Sequence, residues 1–116
     1  MRVKGTKMRV GLYLATLDET PPAESSVYTE PERRYCIRRR NPHPHLAGRY
    51  AAKRAVCLAL GLGGEEAVGD VEVAREPGQA PTLRLHGEAR KTIAGAKSHV
   101  SISHSGDYAV ALVVIE

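Results

Sequence analysis

Residues 46–60, Leu-Ala-Gly-Arg-Tyr-Ala-Ala-Lys-Arg-Ala-Val-Cys-Leu-Ala-Leu, set the strongest constraint on how this chain can fold. Alanines 47, 51, 52, 55 and 59 favour helix and carry little bulk. The spacing predicts a helix from Leu46 to Leu60 that packs closely on its neighbours. Gly61, Gly63 and Gly64 supply its stop. On that helix Arg49 and Lys53 lie one turn apart on the same face, while Arg54 points away beside Tyr50. Such a face is either a solvated basic surface or a wall built for an anion.

The segments around it indicate a compact α+β domain, with helices covering one face of a mainly antiparallel sheet. Val10 to Leu14 reads as a first strand, and Pro21-Pro22 enforces an extended connection after it. Thr29-Glu30-Pro31-Glu32 is a helix-entry pattern, with Thr29 as cap and Glu32 three residues on. Asn41-Pro42-His43-Pro44-His45 is expected to stop that first helix, its two prolines leaving no room for regular helix. Val71-Glu72-Val73 and Thr82 to His86 alternate as an antiparallel hairpin around Glu76-Pro77-Gly78-Gln79. A short helix is expected over Glu88 to Ala94. His99 to His104 and Tyr108 to Ile115 then read as strands joined through Ser105-Gly106-Asp107. Residues 1–9 are expected to be an N-terminal extension and residues 10–116 a single domain.

The chain has 116 residues, enough for one modest core. Five Tyr with no Phe or Trp leave that core to Leu, Val, Ile and Ala, so further burial by self-association is physically attractive. A net charge of +4, from 17 Lys and Arg against 13 Asp and Glu, favours an anionic partner. No aromatic platform interleaves the basic residues, which argues against nucleic acid. Cys36 and Cys57 lack metal-ligand spacing and read as buried thiols in a reducing compartment. No stretch approaches the length of a membrane span, and no secretory signal is evident, so a cytoplasmic protein is the expectation.

Ser101 and Ser103 share one side of their strand, and His104 follows. Without a Gly-x-Ser-x-Gly elbow they suit phosphate contact better than nucleophilic catalysis. His43 and His45 lack further metal ligands nearby and read as exposed loop histidines, with contact to an anionic ligand as the alternative. Glu32 fits a helix cap, a salt-bridge partner or a metal ligand.

The order and spacing of several motifs carry a family resemblance: Thr29-Glu30-Pro31-Glu32-Arg33-Arg34-Tyr35-Cys36, Leu46-Ala47-Gly48-Arg49-Tyr50-Ala51-Ala52-Lys53, Asp70-Val71-Glu72-Val73, Gly78-Gln79-Ala80-Pro81 and Val100-Ser101-Ile102-Ser103-His104. From Val10 to Glu116 the chain resembles the bacterial holo-acyl-carrier-protein synthases, small trimeric 4'-phosphopantetheinyl transferases. The resemblance implies that fold, with coenzyme A as donor, an acyl or peptidyl carrier protein as acceptor, and active sites at the subunit interfaces of a trimer. It implies that Lys53 lies near the pyrophosphate and the reacting hydroxyl, with Arg49 one turn before it. Ser103 and His104 match positions associated with the nucleotide part of coenzyme A, and Gly61 and Gly63 match the segment shaping the cleft. Arg33, Arg34 and Arg38 become a candidate carrier-protein surface.

Two positions depart from the family. Its Gly-x-Asp is Gly11-Leu12-Tyr13 here, and its Ala-Ala-Lys-Glu is Ala51-Ala52-Lys53-Arg54, so both carboxylates associated with magnesium are missing. Glu32 is then the remaining carboxylate for a catalytic or metal role, and Arg54 a candidate to meet the pyrophosphate directly. Three readings stay open: transfer with weakened or atypical metal dependence, a noncatalytic module binding coenzyme A or a carrier protein, and an enzyme repurposed for another reaction in specialised metabolism.

Overall fold

The computed structural model describes residues 8–76 and 78–116. The expected extension Met1 to Lys7 lies outside the described residues, and the first strand begins within residues 1–9, at Arg9. In chain order the elements are β1 (Arg9–Thr16), α1 (Glu30–Ile37), α2 (Pro42–Leu60), α3 (Glu65–Gly69), β2 (Val71–Ala74), β3 (Thr82–Leu85), α4 (Gly87–Ile93), β4 (Ser98–Ser105) and β5 (Tyr108–Ile115). The strands form two antiparallel units, a three-stranded sheet in the order β1-β5-β4 and the hairpin β2-β3. This is the expected α+β architecture with its sheet divided in two.

Helix α2 crosses the inner face of the three-stranded sheet, and the small residues of both surfaces explain how closely it does so. Ala51, Ala52 and Ala55 on the helix and Ala15, Ala109 and Ala111 on the strands are fully buried. At the crossing, a Cβ on Gly11 would stand 1.8 Å from the Ala55 carbonyl oxygen, so only glycine admits the backbones to this contact. Gly61, at φ 70°, ends the helix in the left-handed conformation and returns its N–H to the Cys57 and Leu58 carbonyls.

The sequence expectation for the prolines is corrected. Pro42 and Pro44 do not merely stop α1; they form the first turn of α2, which starts four residues before Leu46. The first N–H groups of a helix have no intrahelical acceptor, so proline there removes nothing. The longer helix carries His45 out of the expected loop and sets it one turn before Arg49. Helix α3, left without an element by the sequence analysis, is a single short turn opened by Glu65 and Glu66.

The outer face of β1 and β5 is apolar, while β4 adds His99, Ser101 and Ser103 beside it. Val10, Leu12 and Leu14 of β1 stand opposite Val114, Leu112 and Val110 of β5, and Leu12 and Leu112 remain 61% and 41% exposed. Cys36 and Cys57 are buried free thiols, and no helix among the described residues is long and apolar enough to cross a membrane.

Candidate functional site

Glu32 and Lys53 occupy the interior together. Thr29 caps α1 and closes a capping box in which Glu32 Oε1 accepts the Thr29 N–H at 2.7 Å. The same oxygen lies 2.7 Å from Lys53 Nζ, and Glu32 Oε2 accepts the Val73 N–H at 2.6 Å. Lys53 also donates to the Val71 carbonyl, and neither side chain has exposed surface. Burial pulls the Lys53 ammonium below its usual range, and the facing Glu32 charge opposes that shift. Cap and salt-bridge partner, two of the three local sequence readings of Glu32, both describe it; its carboxylate is fully enclosed by these contacts. In this conformation neither side chain presents surface to a ligand. Together they tie α1, α2 and β2 into one unit.

The N-terminal half of α2 forms a cationic cluster. The Tyr35 ring is held between two guanidiniums, with Arg39 4.4 Å and Arg49 4.3 Å from its centroid. Arg49 is only 3% exposed, and its Nε has no hydrogen-bond partner among the described residues. His45 meets Tyr35 edge-on at 6.2 Å and His104 at 5.2 Å. Gly48 makes this possible: a Cβ there would come 3.3 Å from the His104 ring, so glycine lets β4 lie against α2. Burial holds both imidazoles below their ordinary values; the neighbouring imidazole and the Arg49, Arg39 and Arg75 charges add to this at His45, and Arg49 and Arg75 at His104. Both are therefore neutral near pH 7 and able to take up a proton when an anion approaches. Beside the cluster lies a cavity of about 600 Å³ lined by Arg34, Tyr35, Arg38, Arg39, Arg75 and Gly78, among others. Four arginines and one tyrosine suit a phosphorylated ligand with a flat group.

A second cluster forms where β1 crosses α2. Tyr13 and Tyr50 meet edge-on at 6.2 Å, and the Arg54 guanidinium stands 5.2 Å from the Tyr13 centroid and 6.0 Å from that of Tyr50. These are the positions at which the resemblance implies magnesium carboxylates, and the fold does make them neighbours. The residues present do not fit that ion. Tyr13 donates its hydroxyl to Glu19 at 2.9 Å, and burial, followed by that hydrogen bond, pushes the phenol up, so no phenolate is available. A divalent cation about 5 Å from the guanidinium would be opposed by roughly 2–7 kcal/mol, between the limits of water and a half-buried protein surface. Among the described residues no three His, Cys, Asp or Glu side chains group to hold a metal.

The remaining candidates are dispersed. Ser103 points from the outer face of β4, away from His104 and Arg49 on the inner side. Gly61 lies at the far end of α2 from Arg49, about 18 Å along the axis. Gly63 lines a small cleft with Arg54, Cys57, Leu58, Leu62 and Gly64. Arg33, expected on the partner surface, spends its donors on the carbonyls of Ala23, Ser25 and Tyr28 and pairs with Glu30 at 2.8 Å, with part of its side chain still exposed. Arg34 and Arg38 stay exposed on the cavity wall. Tyr35, Arg39 and Arg75 join the cluster without having been site candidates in the sequence. The spacing of Tyr35 and Arg39, one turn apart, was the available signal for the first two.

No family model matches the chain. It is 42% identical over 95 residues to the holo-[acyl-carrier-protein] synthase of Koribacter versatilis, covering 78% of this chain and 76% of that protein. The Chronobacterium ammoniagenes ACPS–CoA complex superimposes with a TM-score of 0.81 at 28% identity, covering 96% of this chain and 98% of that one. The holo-(acyl-carrier-protein) synthase of Bacillus anthracis, in complex with CoA (3',5'-ADP), gives 0.75 at 31% identity, covering 95% and 98%.

Proposed function

The chain belongs to the holo-[acyl-carrier-protein] synthase family, and on that premise we propose that it binds coenzyme A and serves 4'-phosphopantetheinyl transfer to a carrier-protein serine. The observation that carries this reading is the Tyr35, Arg39, Arg49, His45 and His104 cluster beside a cavity lined with further arginines. Coenzyme A combines a 3'-phosphate, a diphosphate and a flat adenine, the groups such a site recognises. In the reaction the serine oxygen attacks the phosphorus bearing the pantetheine arm, its proton passes to solvent, and the bond from that phosphorus to the bridging oxygen breaks to release 3',5'-adenosine bisphosphate. Arg49, His104 and the cavity arginines hold the nucleotide end. Arg34 and Arg38 give an acidic carrier protein its first electrostatic contact, which raises encounter rate more than final affinity.

The site is completed between copies of the chain in a homotrimer. This is supported by the apolar outer face of β1 and β5, with Leu12 opposite Leu112, and by the separation within one copy of Ser103 and Gly61 from the Arg49 cluster. A cytoplasmic location accompanies this reading. Binding without turnover is the second reading, favoured by Tyr13 and Arg54 at the carboxylate positions. Intact-mass measurement of several apo carrier proteins incubated with the protein and coenzyme A, with and without magnesium, separates the two. Addition of the phosphopantetheine mass supports transfer. Its absence throughout, with coenzyme A binding retained, leaves the binding reading.

A further inference from the structure

We propose that Arg54 replaces a divalent cation in this chain, so that the diphosphate of coenzyme A is held by a resident guanidinium and binds without metal. The proposal rests on the coenzyme A reading above and concerns how the ligand is neutralised. Three features of the β1–α2 crossing carry it. Gly11 brings the strand against the Ala55 carbonyl, which sets residue 13 beside residues 50 and 54. The Tyr13 ring, anchored through its hydroxyl to Glu19, and the Tyr50 ring hold the guanidinium in place. Arg54 makes no ion pair among the described residues, whereas the neighbouring Lys53 charge is consumed by Glu32. The chain thus holds an oriented cation, unpaired among the described residues, on the wall of the cleft it lines with Gly63 and Gly64.

A planar guanidinium offers two parallel N–H donors to a pair of phosphate oxygens, which matches a diphosphate in geometry and charge. Unlike magnesium, it is not lost to a chelator. The aromatic rings that orient it lower the entropy it must give up on binding.

Calorimetric titration of the full-length protein with coenzyme A, in EDTA and again in excess magnesium, is the primary test. The expected result is the same affinity in both, with Arg54→Met weakening binding roughly 10- to 100-fold and Arg54→Lys less than that. Inorganic pyrophosphate, used as a probe of the diphosphate seat alone, should show the same order among the three proteins. Binding of coenzyme A to the unaltered protein only when magnesium is present overturns the inference and leaves the coenzyme A reading intact. Unchanged affinity in an Arg54→Met protein of native melting temperature also overturns it. Failure of coenzyme A to bind under either condition defeats the underlying reading, and this inference with it.

Discussion

Replacing Lys53 with methionine tests whether the buried pair is structural. The ammonium sits 2.7 Å from Glu32 Oε1 and donates to the Val71 carbonyl, and neither charged side chain has solvent access. Methionine refills most of the lysine's volume, so cavity formation adds little. What remains is a buried carboxylate without its counter-charge, a defect worth about 3–5 kcal/mol. Glu32 keeps the Thr29 and Val73 N–H donors, which places the expected loss near 3 kcal/mol. For a domain of this length that corresponds to a melting temperature about 12 °C lower. Urea titration reads both losses, and removing Glu30 from its exposed pair with Arg33 should cost less than about 1 kcal/mol by that measure. Adding Glu32→Gln to Lys53→Met should recover part of the loss, because no unpaired charge is left inside. A loss below about 1 kcal/mol, or a double variant no more stable than the single, would refute the reasoning and return Lys53 to the list of ligand contacts.

Three further outcomes are expected. Gly11→Ala drives a methyl into the Ala55 carbonyl and should cost at least the upper part of about 1–3 kcal/mol, read as a lower urea midpoint at unchanged slope. Because His45 and His104 are held below the ordinary value of about 6.5, the unfolded chain binds more protons as pH falls through that value. Stability should therefore drop from neutral pH downward until the folded-state values are passed, and His45→Asn with His104→Asn should flatten that slope in thermal melts. Leu12→Lys places a charge on the apolar outer face opposite Leu112 and should shift sedimentation toward the monomer without lowering the helical signal.

How much of this was legible in the sequence depends on the range of each interaction. The Thr29 capping box, the Gly61 stop and the alternation of β4 and β5 are set by neighbours within a turn or a pleat, and the sequence carries them openly. Pro42 and Pro44 were misread because their cost depends on where the helix begins, which their residue type alone does not state. The pairings of His45 with His104 and of Tyr13 with Arg54 depend on two glycines, Gly48 and Gly11, that let a strand lie on a helix; no local pattern announces either contact.

Arg49, Lys53 and Arg54 show why a basic helix cannot be assigned from its charges alone. Each is a cation within the same two turns of α2, yet their surroundings give them different work. A carboxylate from α1 reaches Lys53 and neutralises it in the interior. Tyr35 holds Arg49 by its face while its Nε finds no hydrogen-bond partner among the described residues, and two tyrosines hold Arg54, which makes no ion pair among them. The lysine matching the family motif is therefore the cation whose charge is already spent. The arginine that breaks the motif is the one with charge to offer, and an anionic ligand should respond to Arg54→Met more than to any change at Lys53 that preserves the fold.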